Sequence, residues 1–250
     1  MNAERRGSVQ LFATCIVEHV KPEVGLAVVN VLERAGWRVH YPEGQTCCGQ
    51  PAFNAGAWDD DRAMARHTIG CLERSIHDVV VPSGSCADMI VHRYGELFAD
   101  SPGWAERARA VSRRTREFTA QLDAVGYRPP ARTGVPTCVY HASCHLLRGL
   151  GRREGPLQLL KHAIGDRLVP LAESEDCCGF GGLFSVKMPD LSAAMLQRKL
   201  TRIEESGAAV VTACDVSCLV HIEGGLRRRG SPVAALHVAQ LLDGLGRNVQ

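Results

Sequence analysis

A chain of 250 residues, 45% hydrophobic and 22% charged, has the composition of a globular protein and is long enough for two small domains. Its formal net charge of +2 exerts no strong pull on nucleic acid, and no run of about eighteen apolar residues marks a membrane span. Eleven cysteines without an export signal point to a reducing, cytoplasmic compartment, where clustered cysteines are more often metal ligands or redox groups than disulfides.

Val9 to Thr14 reads as a short buried strand ending at Cys15 rather than as a signal peptide, because Glu18, His19 and Lys21 follow at once. Val24, Val28, Val31 and Leu32 share one face of a predicted helix that stops at Gly36, and Trp37 to Tyr41 alternates as a second strand. Asp59 to Ser75 predicts a helix whose acidic first turn suits the helix dipole. Val79 to Pro82 predicts a buried strand, with a helix beginning near Cys86. Trp104 to Val125 predicts one long helix, with Trp104, Ala108, Val111, Phe118 and Leu122 on a stripe and arginines on a solvated face. Gly126 to Pro136, with three prolines and two glycines, is the expected domain boundary.

The second half repeats the plan. Strands are expected at Thr137 to Tyr140, Arg167 to Leu171 and Val210 to Thr212. Helices are expected at Pro156 to Ile164, Leu191 to Glu205 and, as a short amphipathic tail, Val233 to Leu242. Alternating strands and helices predict an α/β fold of two tandem, Rossmann-like domains with parallel sheets, related by a pseudo-twofold. The expected bounds are 1–126, including a C-terminal helix, and 137–250.

The cysteines carry a second, independent duplication. Cys47-Cys48-Gly49 is echoed by Cys177-Cys178-Gly179, and both halves read C-x(31/32)-C-C-G-x(36/38)-C through Cys15 and Cys86 or Cys144 and Cys218. Two copies at this length indicate a duplicated domain rather than a solenoid. Adjacent cysteines make a strained disulfide but good ligands, since two neighbouring thiolates can grip one metal assembly. The expected layout puts the cysteines at strand ends, where open α/β sheets bind ligands. Four thiolates per half suit one four-iron cluster each. Zinc and metal-free redox thiols are the alternatives, although structural zinc more often takes short-spaced cysteine pairs.

Taken with Thr14-Cys15, Lys21-Pro22-Glu23-Val24-Gly25, Gln45 to Asn54, Pro82-Ser83-Gly84-Ser85-Cys86, His141-Ala142-Ser143-Cys144-His145, Cys177 to Gly182, Ser185-Val186-Lys187, Ser217-Cys218-Leu219 and Gly230 to Val233, the chain resembles the cysteine-rich CCG-domain iron–sulfur proteins. These include heterodisulfide reductase B subunits and glycolate oxidase iron–sulfur subunits. Within them the chain looks most like the A-type subunits of lactate utilisation, also described as E subunits of an L-lactate dehydrogenase complex. The resemblance implies [4Fe-4S] clusters, one per half, held by Cys15, Cys47, Cys48 and Cys86 and by Cys144, Cys177, Cys178 and Cys218. It implies an electron-transfer oxidoreductase subunit in a complex that converts L-lactate to pyruvate beside other iron–sulfur subunits. The alternatives are a thiol/disulfide or glycolate oxidase iron–sulfur subunit, and a non-enzymatic metal-binding scaffold.

Fuller family patterns end each half in C-x-x-C, whereas this chain has Ser83 and Asp215 at the first of those positions. That favours a four-cysteine cluster, or one partly ligated by oxygen, over a five-cysteine one. Cys214, Cys71 and Cys138 read as core cysteines. His141 and His145 could hydrogen-bond a cluster sulfur or simply pack, and Lys187 could balance cluster charge or be solvated. No Gly-x-Gly-x-x-Gly fingerprint marks a dinucleotide site, and no catalytic residue is identified.

Overall fold

Val9 and the run Val79-Val80-Val81 have no exposed surface, as expected of parallel strands covered on both faces. In the computed structural model, which describes residues 6–244, the chain divides into two units, Met1–Val125 and Gly126–Gln250. The first holds β1 (Gly7–Leu11), β2 (Trp37–His40), β3 (Asp78–Val81) and β4 (Thr115–Glu117), in the order β2-β1-β3-β4, all parallel. The second holds β5 (Cys138–Tyr140), β6 (Val210–Ala213) and β7 (Ala234–His237), in the order β5-β6-β7, also parallel. The expected α/β class with parallel sheets is therefore present in each unit. No helix among the described residues is long and apolar enough to cross a membrane.

Three expected elements differ. The long helix expected over Trp104 to Val125 is broken. Pro102–Arg113 is helical, Thr115–Glu117 pairs with β3, and Phe118–Ala124 is a separate helix. Polar capping explains the break. The Thr115 hydroxyl donates to the Val111 carbonyl at 2.8 Å, and the buried Glu117 carboxylate accepts from the Thr119 and Ala120 amides, starting a new helix. Arg167 to Leu171 is not a full strand: Leu168 makes one isolated parallel bridge to Cys138, and Pro170, which lacks an amide hydrogen, follows. The expected tail helix over Val233 to Leu242 is instead β7 followed by a helix at Val238–Asp243. His237 starts that helix in a capping box with Gln240, which overrides the amphipathic spacing upstream.

Trp58–Leu72 and Pro189–Glu205, which lie downstream of the two Cys-Cys-Gly segments, each bury one face. In the second unit Leu196, Leu200 and Ile203 pack with Val139, Val211, Ile222 and Leu226. Cys15, Cys86, Cys144 and Cys218 all follow the carboxyl ends of parallel strands, where the loops of such sheets converge.

Candidate metal centres

Each Cys-Cys-Gly loop turns on a glycine with positive φ, +93° at Gly49 and +90° at Gly179, a conformation costly for other residues. In the first unit two side chains draw the loops together. Gln45 donates to the Leu11 carbonyl at 2.8 Å and accepts from the Ala13 amide at 3.0 Å, tying the segment before Cys47 to the one before Cys15. Gln50 donates to the Ser85 carbonyl at 3.1 Å, tying the segment after Cys48 to the one before Cys86. From below, the buried Tyr94 hydroxyl donates to the Cys48 carbonyl at 2.9 Å.

These ties bring Cys15, Cys47, Cys48 and Cys86 together. The Cys48 and Cys86 sulfurs are 3.3 Å apart, and Cys47 accepts hydrogen bonds from Cys15 and Cys48. The Gly49 amide points at the Cys47 sulfur from 3.5 Å. The second unit repeats the arrangement. Cys177 accepts from Cys144 and Cys178, Cys178 also meets Cys218, and the Gly179 amide lies 3.4 Å from the Cys177 sulfur. One cysteine of each vicinal pair is half-buried and the other is almost wholly inside, Cys48 and Cys178 being 2% exposed.

The ionisation pattern follows from this crowding. Hydrogen bonds from Cys15 and then Cys48 hold the Cys47 thiol well below the ordinary range, and Cys144 and Cys178 do the same for Cys177. The donors are held up in turn: Cys15 and Cys144 by those hydrogen bonds and by burial, and Cys48 and Cys178 by hydrogen bonds at both flanks and by burial. Cys218 is raised even though Cys178 hydrogen-bonds to it, because burial and the nearby Asp215 outweigh that contact. Each quartet thus sets one readily ionised thiol, Cys47 or Cys177, among crowded neighbours, a donor set that fits a cationic group displacing thiol protons.

The other candidates are placed as follows. Cys71 lies by the Gly44 carbonyl and His67, Cys138 is buried in β5 with its thiol pushed up to about 12 by burial, and the Cys214 sulfur lies 3.8 Å from the Tyr140 hydroxyl. Asp215 caps its helix, accepting from the Ser217 amide at 3.2 Å and from the Ser217 hydroxyl, and the Ser83 and Ser85 hydroxyls are 3.0 Å apart. His145 Nδ1 lies 3.6 Å from the Cys144 sulfur. His141 is fully buried, and burial, then Lys199, lower its pKa to about 4. Lys187 is exposed.

Two charged residues that sequence reasoning passed over lie at the sites. Lys199 is 1% exposed and donates to the Glu173 carbonyl at 2.7 Å, while Cys178 and Cys177 partly offset the burial that lowers its pKa. Asp61 is fully buried against Gly49, and burial, then the Cys47 charge, raise it to about 7. The signal was helical spacing. Lys199 shares its stripe with Leu196, Leu200 and Ile203, and Asp61 shares one with Ala65, Thr68, Ile69 and Leu72.

Comparison with known proteins agrees with this duplicated geometry. The cysteine-rich domain (CCG) family model matches twice, at residues 9–91 and 138–223. Lactate utilization protein A of Shouchella clausii is 44% identical over 94% of this chain and 98% of its own length. The proteins of that name from an Exiguobacterium species and Bacillus licheniformis are each 42% identical over 94% of this chain, covering 97% and 98% of their own lengths. Among solved structures, an aspartate racemase homologue from Pyrococcus horikoshii aligns over 97% of both chains, but at 11% identity and a TM-score of 0.31 it carries no argument. With two family matches and relatives similar over almost their full length, this chain belongs to the cysteine-rich CCG domain family, alongside proteins named lactate utilization protein A.

Proposed function

We propose that this chain is a cytoplasmic iron–sulfur electron-transfer subunit of a multi-subunit complex that oxidises L-lactate to pyruvate. In this reading residues 1–126 and 137–250 are two CCG domains. Cys15, Cys47, Cys48 and Cys86 hold one [4Fe-4S] cluster, and Cys144, Cys177, Cys178 and Cys218 hold the other. The observation that carries the reading is the convergence of two separate thiol quartets, in each of which crowding lowers the pKa of one thiol, Cys47 or Cys177. The name shared by the relatives supports the link to lactate.

A four-iron cluster supplies a one-electron site and is ordinarily held by four cysteines. The chain's own residues prepare for that group. Cys47 and Cys177 offer ready thiolates, and the Gly49 and Gly179 amides face their sulfurs. Cys48 and Cys178 keep one side of each quartet dry, while half-buried Cys15, Cys47, Cys144 and Cys177 leave the other side near the surface, as electron exchange with a partner requires. The commitment of Asp215 to capping its helix weighs against the heterodisulfide-reductase-like alternative, which uses a fifth cysteine.

Lactate oxidation moves two electrons and needs a hydride or carbanion acceptor, which two one-electron sites do not supply. On this reading the partner subunits, the other iron–sulfur subunits of the complex among them, supply that acceptor, and this chain carries the electrons onward. In the reconstituted complex, Cys48→Ser or Cys178→Ser abolishes lactate-dependent electron flow. The isolated chain neither binds nor oxidises L-lactate. Turnover by this chain alone, with an artificial acceptor and no partner, overturns the proposal.

A further inference from the structure

The second unit differs from the first at the mouth of its quartet. Asp61 lies against Gly49 where Ser192 lies against Gly179, and Met64 lies beside the one as Met195 lies beside the other. The helices Trp58–Leu72 and Pro189–Glu205 therefore align. In the second, Leu191, Met195, Arg198 and Arg202 recur at helical spacing and form one stripe. Met195, Arg198 and Arg202 line a cavity of about 290 Å³ together with Cys177. The matching stripe of the first unit reads Asp60, Met64, His67 and Cys71, with His67 turned to the Gly44 carbonyl at 2.6 Å and Cys71 buried.

The second mouth thus carries charge that the first lacks. Arg148 and Lys199 join Arg198 and Arg202 around the cavity, against Glu173 and Asp176, which leaves a surplus of two positive charges. Glu173 holds Arg198 and Arg202, whereas no carboxylate among the described residues pairs with Arg148. Balancing a cluster's negative charge does not require such a surplus, because the first quartet has the same four cysteines and no arginine on its stripe.

Beside this basic rim the chain exposes apolar surface. Val186, Met188 and Leu191 are 72%, 52% and 51% exposed, three of the eight exposed large hydrophobics among the described residues, within six consecutive positions. The short helix Phe184–Lys187 packs on Pro189–Glu205, which sets Val186 and Met188 near Leu191. In the first unit the exposed Trp58 is stacked on Phe53 instead. An apolar patch with a charged rim marks a protein-docking face, and methionine and arginine are enriched in such faces.

We propose that the second centre is where this chain meets a redox partner protein, which docks on Val186, Met188 and Leu191 and sets carboxylates of its own toward Arg148 and Arg202. The inference rests on the reading of the chain as an iron–sulfur electron-transfer subunit. It adds which centre faces the partner and what the partner presents: an apolar contact with an acidic rim. One electron passes between the partner's redox centre and the second cluster, oxidising one as it reduces the other, and no covalent bond changes.

The test uses the full chain, prepared anaerobically with its clusters, and as probe the partner iron–sulfur subunits isolated from the assembled complex. Affinity is measured by biolayer interferometry over a series of salt concentrations, with iron content and thermal unfolding recorded for every variant. Val186→Asp and Leu191→Asp each weaken binding by about tenfold or more. Arg148→Glu weakens it by about fivefold and flattens its dependence on salt. The rate of electron exchange at low partner concentration falls with the affinity. Ile76→Asp, at a side chain 90% exposed in the first unit, binds as the wild type does, and all four variants keep their iron and their melting temperature. Wild-type affinity in Val186→Asp and Leu191→Asp, or an equal loss in Ile76→Asp, overturns the docking face and leaves the iron–sulfur reading standing. Unchanged affinity in Arg148→Glu overturns the acidic rim. A loaded wild-type chain that dimerises by itself through Val186 and Leu191 puts a second copy there and overturns the partner. No association with the isolated subunits overturns the subunit reading as well.

Discussion

Ser192 and Gly179 are locked against each other: the Ser192 hydroxyl donates to the Gly179 carbonyl at 2.8 Å, and a Cβ on Gly179 would stand 2.6 Å from the Ser192 carbonyl. The glycine's φ of +90° adds a conformational reason for its identity. Gly49 packs instead against the Asp61 carboxylate, which makes no hydrogen bond to it, with Met64 beside it as Met195 lies beside Gly179.

Gly179→Ala should therefore misplace the Cys177–Cys178 loop. The positive φ alone costs about 1–2 kcal/mol, and the clash with a backbone oxygen adds to it. Thermal unfolding should show the loss, and bound iron should fall by about half, since one of two clusters is lost. Ser192→Ala, which removes the bond to Gly179 and a long 3.5 Å contact with His221, should cost about 1 kcal/mol and keep its iron.

The pairing of Asp61 with Ser192 and of Met64 with Met195 sets the two helices in register, so Thr68 corresponds to Lys199. The first site thus has a buried acid and a neutral threonine, and the second a neutral serine and a buried lysine. A nearby negative charge disfavours the added electron, and a positive charge favours it. Lys199→Met should lower the potential of the second centre alone, and Asp61→Asn should raise that of the first alone. Redox titration followed by electron paramagnetic resonance checks both shifts. Lys199→Met should also cost about 1.5–3 kcal/mol of stability, because the Glu173 carbonyl loses a charged donor.

Asp61 also sets a pH dependence in the metal-free protein. Its folded pKa of about 7 lies above the ordinary carboxylate value, so the folded state binds the proton more tightly than the unfolded one. Its contribution to stability is fully present below about pH 4, falls as pH rises, and is lost above about pH 7. His141, lowered to about 4, acts in the opposite sense over part of this range, so the difference between proteins is the clean readout. Asp61→Asn should gain on the wild type between pH 4 and 7, by roughly 2–4 kcal/mol at the upper end, and hold steady above. Chemical denaturation of the apoprotein at a series of pH values measures this.

The parts of the fold legible in the sequence are those written as local patterns. The valine runs at Val79 and Val210 mark central strands because burial on both faces demands continuous apolar residues. The vicinal cysteines mark the sites because few other roles suit them. The break at Thr115 was hidden because the stripe from Trp104 to Leu122 keeps helical spacing through it, and only pairing with β3 and the Glu117 cap decide otherwise. Lys199 and Asp61 escaped because a charge on a helix is ordinarily solvated, and their burial depends on loops folded over them from elsewhere. Lys187, close to the second motif in sequence, lies at the surface instead.

The most direct measurement of the central claim is iron and acid-labile sulfide content of the anaerobically purified chain, with its electron paramagnetic resonance spectrum after reduction. Two cysteine quartets holding four-iron clusters predict about eight irons and about eight sulfides per chain, with a paramagnetic signal that Cys48→Ser and Cys178→Ser each reduce by about half. Stoichiometric zinc, with no sulfide and no visible absorbance, would contradict it.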